Sequence, residues 1–305
     1  MSNLAIVIPA YKDAFLRYAL ESLANQTCKD FTVYIGDDAS PQCIEQVVAK
    51  YKHRLNLVYH RFETNIGGTD LVGQWERCIA LSNDEPWIWL FSDDDEMEPR
   101  CVEHFYKEIG EGNHYDLYHF DVDLINEAGE IFVRRHQFPE WLSSKEFIIK
   151  KLQGEIASYV VEYIFSRKHY EECNGFQKFD LAWGSDDATW IKFGLEKGIK
   201  TITGAKVRWR KSEVNISPNN NDPNIVLRKL ESDIEFLHWT NSLFSIKNES
   251  NRELVRSEFT WFCTNVAKYR HVLGKQRSQY YMKRMCSEIN MPYLYYLAQV
   301  YTAMK

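Results

Sequence analysis

The sequence predicts an α/β protein built on a mostly parallel sheet with helices on both faces, followed by a helical C-terminal extension. Three observations carry that expectation. Short apolar runs recur through the first hundred residues with helix-length segments between them, the spacing of β-α-β crossovers. The 305 residues are 45% hydrophobic and 26% charged with only 14 Gly and 8 Pro, which suits a packed core and excludes collagen-like, low-complexity or broadly disordered chains. Beyond Pro223 strand alternation stops and helical spacing takes over.

Leu4–Pro9 (LAIVIP) is a continuous apolar run, the pattern of a strand buried on both faces. Phe15, Leu16, Ala19, Leu20, Leu23 and Ala24 follow at helical spacing, with Asp13 placed to cap them. Phe31–Gly36 is the second strand. Ser40 and Pro41 then read as cap and first residue of a helix whose stripe is Ile44, Val47, Val48 and Tyr51. Leu57–Phe62 is a third strand, Thr69–Leu81 a helix and Trp87–Phe91 a fourth strand. After Pro99 the pattern changes. Tyr115–Ile125 and Ile131–Arg135 flank a hairpin turn at residues 126–129; Tyr159–Phe165 and Lys200–Trp209 are strands, and Ser185–Glu196 is a helix closed by Gly198. Ser217–Asp222 (SPNNND) reads as a linker, which divides the chain into 1–217 and 223–305. The second part breaks into helical pieces at 248–251, Gly274 and Pro292.

The charge balance is 37 Lys+Arg against 43 Asp+Glu, a net −6, which weighs against a polymeric nucleic acid as partner. It is unevenly spread. Residues 223–305 hold 12 Lys+Arg against 7 Asp+Glu, so a tail of +5 follows a body of −11. The seven cysteines are scattered with no C-x-x-C pair, as expected of reduced thiols in the cytosol. The N-terminus lacks the basic segment of a signal peptide, and no run approaches the ~20 apolar residues of a membrane span. A cytoplasmic protein, at most peripheral at the inner membrane face, is expected.

Acidic residues gather where strands end: Asp37 and Asp38 after the second, Asp93, Asp94, Asp95 and Glu96 after the fourth. Ligands of open α/β sheets sit outside those ends. Carboxylates ~4 Å apart repel by up to ~4 kcal/mol at an effective dielectric of 20, so four in a row need solvent or a bound cation. An extended chain past Ser92 would send Asp93 and Asp95 to one side and Asp94 to the other. Hard oxygen ligands of this kind suit Mg²⁺ or Mn²⁺ rather than zinc.

Leu4–Tyr11 (LAIVIPAY), the helix ending Leu23-Ala24-Asn25-Gln26-Thr27, Phe31–Ser40 (FTVYIGDDAS) and Phe91–Pro99 (FSDDDEMEP) together resemble family 2 glycosyltransferases of the GT-A fold, over about residues 3–217. The resemblance implies transfer of a sugar from a nucleotide-sugar donor, by default a UDP-sugar, to a hydroxyl of a saccharide or lipid-linked saccharide. It also implies a divalent cation (Mn²⁺ or Mg²⁺) and inversion at the anomeric carbon. By position, Pro9, Ala10 and Tyr11 line the nucleotide base; Asp38 pairs with it, beside Asp37; Asp93 approaches the ribose. Asp94 matches the metal ligand, with Asp95 the last acid of the D-x-D. Asn65, Gly67 and Gly68 resemble the turn near the donor, although an ordinary helix-opening turn accounts for them too.

Trp183-Gly184-Ser185-Asp186-Asp187 opens a helix, where Ser capping and dipole-favoured acids would be reason enough for those residues. The resemblance makes Asp186 the general base, with Asp187 as the neighbouring choice, because Gly175-Phe176 precedes and Lys192 follows at the family's distances. Ser185 stands where the family often has Glu, so the register stays open by one residue. Arg208, Arg210 and Lys211 begin a basic loop running to Asn215 and Ser217; solvated charges at a strand end account for it, while the resemblance implies a cation at the donor diphosphate here, with Arg210 as the donor-binding residue. The basic, tyrosine-rich tail suggests contact with an anionic membrane, or helices packed on the catalytic domain, including at a homodimer contact. Two other readings compete. A sugar-phosphate nucleotidyltransferase would need a Gly-rich phosphate loop that residues 9–13 lack, and a non-catalytic nucleotide-sugar binder would be expected to lack some of Asp38, Asp94 and Asp186.

Overall fold

The computed structural model describes residues 2–112, 115–135, 137–212, 220–244, 251–289 and 291–298. Asn215, Ser217 and the helix break at 248–250 lie outside these residues. The chain falls into two compact units, one of Met1–Ser144, Ser158–Phe176 and Lys192–Ser212, the other of Lys145–Ala157, Gln177–Ile191 and Glu213–Lys305.

The first unit is organised by a ten-stranded sheet. Its strands are β1 (Leu4–Ala10), β2 (Thr32–Asp37), β3 (Leu57–Arg61), β4 (Trp87–Leu90), β5 (Glu96–Met97), β6 (Leu117–Ile125), β7 (Ile131–Arg134), β8 (Trp141–Leu142), β9 (Tyr163–Ser166) and β10 (Ile199–Arg210). The spatial order is β3-β2-β1-β4-β9-β6-β10-β5, with β7 beside β6 and β8 beside β10. β3, β2, β1 and β4 run parallel, in a register that sets Ala10 beside Asp37. β9 turns antiparallel between β4 and β6, so the expected parallel sheet becomes mixed past β4.

Helices α1 (Leu16–Ala24), α2 (Ile44–Ala49), α3 (Leu71–Ile79) and α4 (Cys101–Gly110) cover both faces. Leu4, Ile6 and Ile8 of β1 enter one core with Leu16, Leu20 and Leu23 of α1, Ile44 of α2 and Phe105 of α4. The alternate residues Ala5 and Val7 are equally buried and, by the two-residue period, face the other way. α3 lies close against β2: a Cβ on Gly36 would stand 2.3 Å from Cys78 Sγ, so only glycine lets the helix approach.

Several element starts differ from the sequence expectation. Phe15 occupies the cap of α1 with no side-chain bond, while the Asp13 N–H donates to Gln42 at 2.6 Å. The Ser40 hydroxyl donates to the Tyr11 carbonyl at 2.6 Å, and α2 starts only after Cys43. α3 starts at Leu71 rather than Thr69, capped by Asp70, which accepts from Gly73 N at 2.8 Å. Tyr159 opens a 3₁₀ turn at Val160–Glu162, which delays β9 to Tyr163. In β10 the pairing shifts register between Ile202 and Lys206, where Gly204 takes φ +91°.

The second unit holds α8 (Pro223–Phe244), α9 (Arg252–Lys268) and α10 (Arg270–Glu288), together with most of α5 (Ser144–Gln153) and of α7 (Ser185–Phe193). α6 (Arg167–Glu172) belongs to the first unit. Leu230, Ile234, Leu237, Phe262, Val266 and Met285 form the core of α8–α10. α10 kinks at Gly274 (φ +67°), the break its glycine predicts. Among the described residues no helix is long and apolar enough to cross a membrane.

Candidate active site

In the first unit the parallel strands deliver their carboxyl ends to one place. β1 runs into Tyr11 and Lys12, whose backbone N–H groups both donate to Asp93 Oδ2, at 2.9 and 3.0 Å. Pro9 and Ala10 end the strand, and Tyr11 beyond them is 41% exposed. Asp37 and Asp38 end β2. Asp37 accepts from Ser40 N (2.8 Å), Tyr59 Oη (2.6 Å) and Arg61 (2.9 Å). Asp38 accepts from Ile66 N and Gly67 N, both at 2.9 Å, and from Arg77, which lies 3.8 Å from the Phe62 ring. Asp38 thus binds the Asn65–Gly68 turn to the strand end. A Cβ on Gly67 would lie 2.6 Å from Asp38 Oδ2, so glycine serves that approach, and Gly68 N donates to Asn65 Oδ1 at 3.3 Å.

The chain does not stay extended beyond β4. It bends at Asp93 and Asp94 before β5, so the alternation of an extended chain does not apply there. Asp93 reaches the end of β1, Asp94 accepts from the Ser92 hydroxyl, and Asp95 Oδ1 accepts from Arg210 N at 2.6 Å. Burial pushes all three carboxyls up, Asp93 to about 6 and Asp95 well above the carboxylate range; the Asp94 charge adds to both.

Arg210 organises this loop from inside the wall. Its guanidinium, 1% exposed as part of the whole residue, donates to the carbonyls of Asp94 (2.8 Å), Asn126 (2.8 Å) and Glu127 (3.1 Å) and to the Glu96 carboxylate. Phe15 stacks against it with the ring centre 4.7 Å away. Arg210 therefore meets the acidic loop through protein atoms.

Among the described residues no three His, Cys, Asp or Glu side chains converge as a ready-made metal cage. The donor chemistry nonetheless fits a hard divalent cation. Burial holds the three adjacent carboxyls up, with the Asp94 charge adding to Asp93 and Asp95, even beside Lys12 and Arg210, and Mg²⁺-type ions take one or two carboxylates with water and substrate phosphate completing the shell.

In the second unit, Asp186 and Asp187 occupy the first turn of α7. Gly184, not Ser185, takes the cap position: its carbonyl accepts from Ala188 N at 3.0 Å, while Ser185 Oγ accepts from Phe179 N at 2.9 Å. The two acids differ in surroundings. Asp187 forms an ion pair with Lys151 of α5 at 2.9 Å. Asp186 is pushed up to about 7, by burial first and then by the charge of Asp187. A carboxyl poised near neutrality in a helix's first turn is equipped to take a proton from a hydroxyl.

The turn before it is strained and clamped. Leu181 and Ala182 both adopt positive φ, 58° and 55°, a conformation costing roughly 1–2 kcal/mol per residue for side chains with a Cβ. α8 holds it there. Arg228 grips Asp180 through two bonds of 2.7 Å, and Ser232 Oγ donates to the Asp180 carbonyl at 2.9 Å. Trp183 Nε1 donates to the buried Asp233 at 2.8 Å, and Lys229 Nζ sits 4.4 Å from the Trp183 ring. Asn265 donates to the other Asp233 oxygen at 3.1 Å.

Sequence reasoning missed Lys151, Arg77 and the Trp183 clamp. Lys151 reads only as a helix-ending cation, and Arg77 as a solvated one. Asp233 did leave a signal: it falls on the apolar stripe Val226, Leu230, Leu237, where a carboxylate needs a partner.

A mixed sheet with a parallel half, carrying carboxylates at the ends of β2 and β4, is the architecture of a GT-A type α/β protein. The chain belongs to the Glycosyl transferase family 2, whose sequence model matches residues 5–173. Two relatives share the kinship at different reach. Poly(ribitol-phosphate) beta-N-acetylglucosaminyltransferase TarS of Staphylococcus aureus is 33% identical over 99 residues, 32% of this chain and 17% of that longer protein. GalNAc(5)-diNAcBac-PP-undecaprenol beta-1,3-glucosyltransferase of Campylobacter jejuni is 22% identical over 245 residues, 76% of this chain and 73% of that one. The crystal structure of S. aureus TarS 1–349 shares the fold with a TM-score of 0.60 at 15% identity, covering 100% of this chain and 92% of that one. The same fragment has been solved in complex with UDP-GlcNAc (TM-score 0.58, 18% identity, 97% of this chain, 92% of that one).

Proposed function

We propose that this chain is an inverting glycosyltransferase that moves a hexosyl group from a UDP-linked donor to a hydroxyl of a saccharide or lipid-linked saccharide. The observation that carries the reading is the carboxylate-crowded end of β4, bonded to the end of β1, in a family 2 member. In this reading residues 1–217 carry catalysis and 223–305 are a helical extension. Pro9, Ala10 and Tyr11 line the nucleotide, with Asp37 and Asp38 holding the strand-end wall and the Asn65–Gly68 turn. Asp93 faces the ribose. Asp94, with Asp95 beside it, would hold Mn²⁺ or Mg²⁺, which supplies positive charge opposite the leaving diphosphate. Arg210 positions that loop. A UDP-GlcNAc complex of a protein sharing the fold supports uridine as the donor nucleotide.

Asp186 accepts the proton of the acceptor hydroxyl as that oxygen bonds to the anomeric carbon. The bond from the anomeric carbon to the diphosphate oxygen breaks with its electron pair, and the nucleotide diphosphate leaves. One displacement inverts the centre. Lys151 keeps Asp187 out of this role by pairing with it. The test is a screen of nucleotide-sugars for nucleotide release and product formation with and without Mn²⁺: Asp186→Asn should bind donor and fail to transfer, and transfer at the unsubstituted rate would remove Asp186 from the mechanism.

Cytoplasmic placement with peripheral membrane contact goes with this reading. Its support is the net +5 of residues 223–305 together with Tyr280, Tyr296 and Leu297, each more than half exposed. Flotation with anionic vesicles at low salt checks it, and absence of binding would reject it. A homodimer through the same helices is the competing use, read by sedimentation.

A further inference from the structure

A groove of about 970 Å³ lies wholly within the second unit. One wall is the end of α5, from Lys151 to Gly154; the other is a face of α9. Two adjacent rows of α9 line it at i, i+4 spacing: Arg252, Arg256, Thr260 and Thr264, and beside them Glu253, Ser257 and Trp261. The rows span roughly 18 Å of helix. They are graded in chemistry. Two guanidinium groups one turn apart stand at one end, and hydroxyls with an indole at the other. Gln153 crosses from α5 to α9, donating to Ser257 Oγ at 3.0 Å and to Glu253 at 3.4 Å, which fixes the width. Gly154 (φ +76°) would meet nothing within 4 Å of an added Cβ, leaving that corner open.

The groove joins the chemistry through Lys151, which lines it and is also the residue that binds Asp187 at 2.9 Å, next to Asp186. A ligand in the groove therefore lies against the residue that orders the candidate base turn. The geometry points to this groove as the acceptor site, built for a saccharide that carries phosphate. Paired arginines recognise phosphate through forked N–H groups. Hydroxyl side chains and the Trp261 ring suit a sugar, whose faces are apolar and whose rim is polar. In a chain of net −6, this local excess of cations selects an anionic acceptor over a neutral one. The assignment rests on Asp186 as the base.

The experiment is calorimetric titration of the full chain with trehalose 6-phosphate, trehalose and inorganic pyrophosphate. Trehalose 6-phosphate should bind at least tenfold more tightly than either of the others. The Arg252→Gln/Arg256→Gln variant should erase the advantage over trehalose, and Trp261→Ala should weaken both sugars. Thr264→Glu, a change at an exposed position, should weaken the sugar phosphate at least fivefold and serves if the arginine variant does not fold. Equal binding of the two sugars, a phosphate preference that survives the arginine changes at unchanged melting temperature, or pyrophosphate binding as tightly as the sugar phosphate would overturn the assignment. Asp186→Asn separates the two readings. Loss of transfer with probe binding retained supports both; retained transfer rejects the base whatever the probe does, and absent probe binding rejects the groove even where transfer depends on Asp186.

Discussion

Replacing Trp183 with Phe removes one N–H and keeps most of the ring. In the structure that N–H is one of two side-chain donors to Asp233, a carboxyl 2% exposed, so its loss leaves a buried oxygen without its partner. A hydrogen bond to a charged group contributes about 1.5–3 kcal/mol, so the loss is read above about pH 7, where Asp233 is ionised. The smaller ring also weakens the contact with the buried Lys229, and such contacts are worth about 0.5–1 kcal/mol even at exposed sites. Unfolding in denaturant should therefore report a loss of about 2–4 kcal/mol. The clamp is spent on holding Leu181 and Ala182 at positive φ directly before the Asp186 turn. If a third to a half of that energy is used to place the base, the transfer rate falls by about tenfold, since 1.36 kcal/mol is tenfold in rate. Donor binding sits on other residues and should stay the same. The assay is steady-state transfer with donor and acceptor varied separately, beside a denaturant melt. A Trp183→Phe enzyme that is as stable as the parent, or that loses donor affinity while keeping its turnover, would refute the clamp as a positioning device.

Four further outcomes follow from the same geometry. Transfer should rise tenfold per pH unit below about 7 and level off above it, because Asp186 must be ionised to accept a proton and its carboxyl is held near 7; a profile flat from pH 5 to 8 would contradict it. Asp233 and Glu258 are raised by burial to about 7 and about 8, so the folded chain holds their protons more tightly than the unfolded one. Their contribution to stability is fully present below about pH 4 and fades as pH climbs to about 8, a slope that denaturant melts should show and that Asp233→Asn with Glu258→Gln should flatten. Arg210→Met strips a buried cation from the acceptors that surround it, and an expected loss of about 3–5 kcal/mol can be read by melting. Gly67→Ala pushes a methyl against Asp38 and should weaken donor binding several-fold by calorimetry, with the transfer rate at saturating donor nearly kept.

What the sequence disclosed and what it hid divide along a physical line. Apolar runs at Leu4–Ala10, Thr32–Asp37 and Trp87–Leu90 report burial on both faces, and the acids that follow them mark strand ends, so the parallel half of the sheet and its loaded edge were legible. Helix caps were not. Asp13 and Ser40 have the right chemistry to cap, but partners distant in sequence, Gln42 and the Tyr11 carbonyl, claim their neighbourhoods first. The bend at Asp93 and Asp94 escaped for the same reason: alternation assumes an extended chain, and Arg210, more than a hundred residues on, holds that loop through the Asp94 carbonyl and the Asp95 carboxylate. The environments of Asp186 and Asp187 depend on Lys151, thirty-odd residues earlier, whose local setting announces nothing.

The most direct measurement is nucleotide release from a panel of UDP-sugars with saccharide acceptors, in the presence of Mn²⁺, for the parent chain and for Asp94→Ala and Asp186→Asn. The predicted result is acceptor-dependent UDP release from at least one donor, reduced at least a hundredfold in both variants, with donor binding retained in Asp186→Asn. Acceptor-dependent release that continues at the parent rate in both variants, or no release from any donor by the folded parent, would contradict glycosyl transfer at these residues.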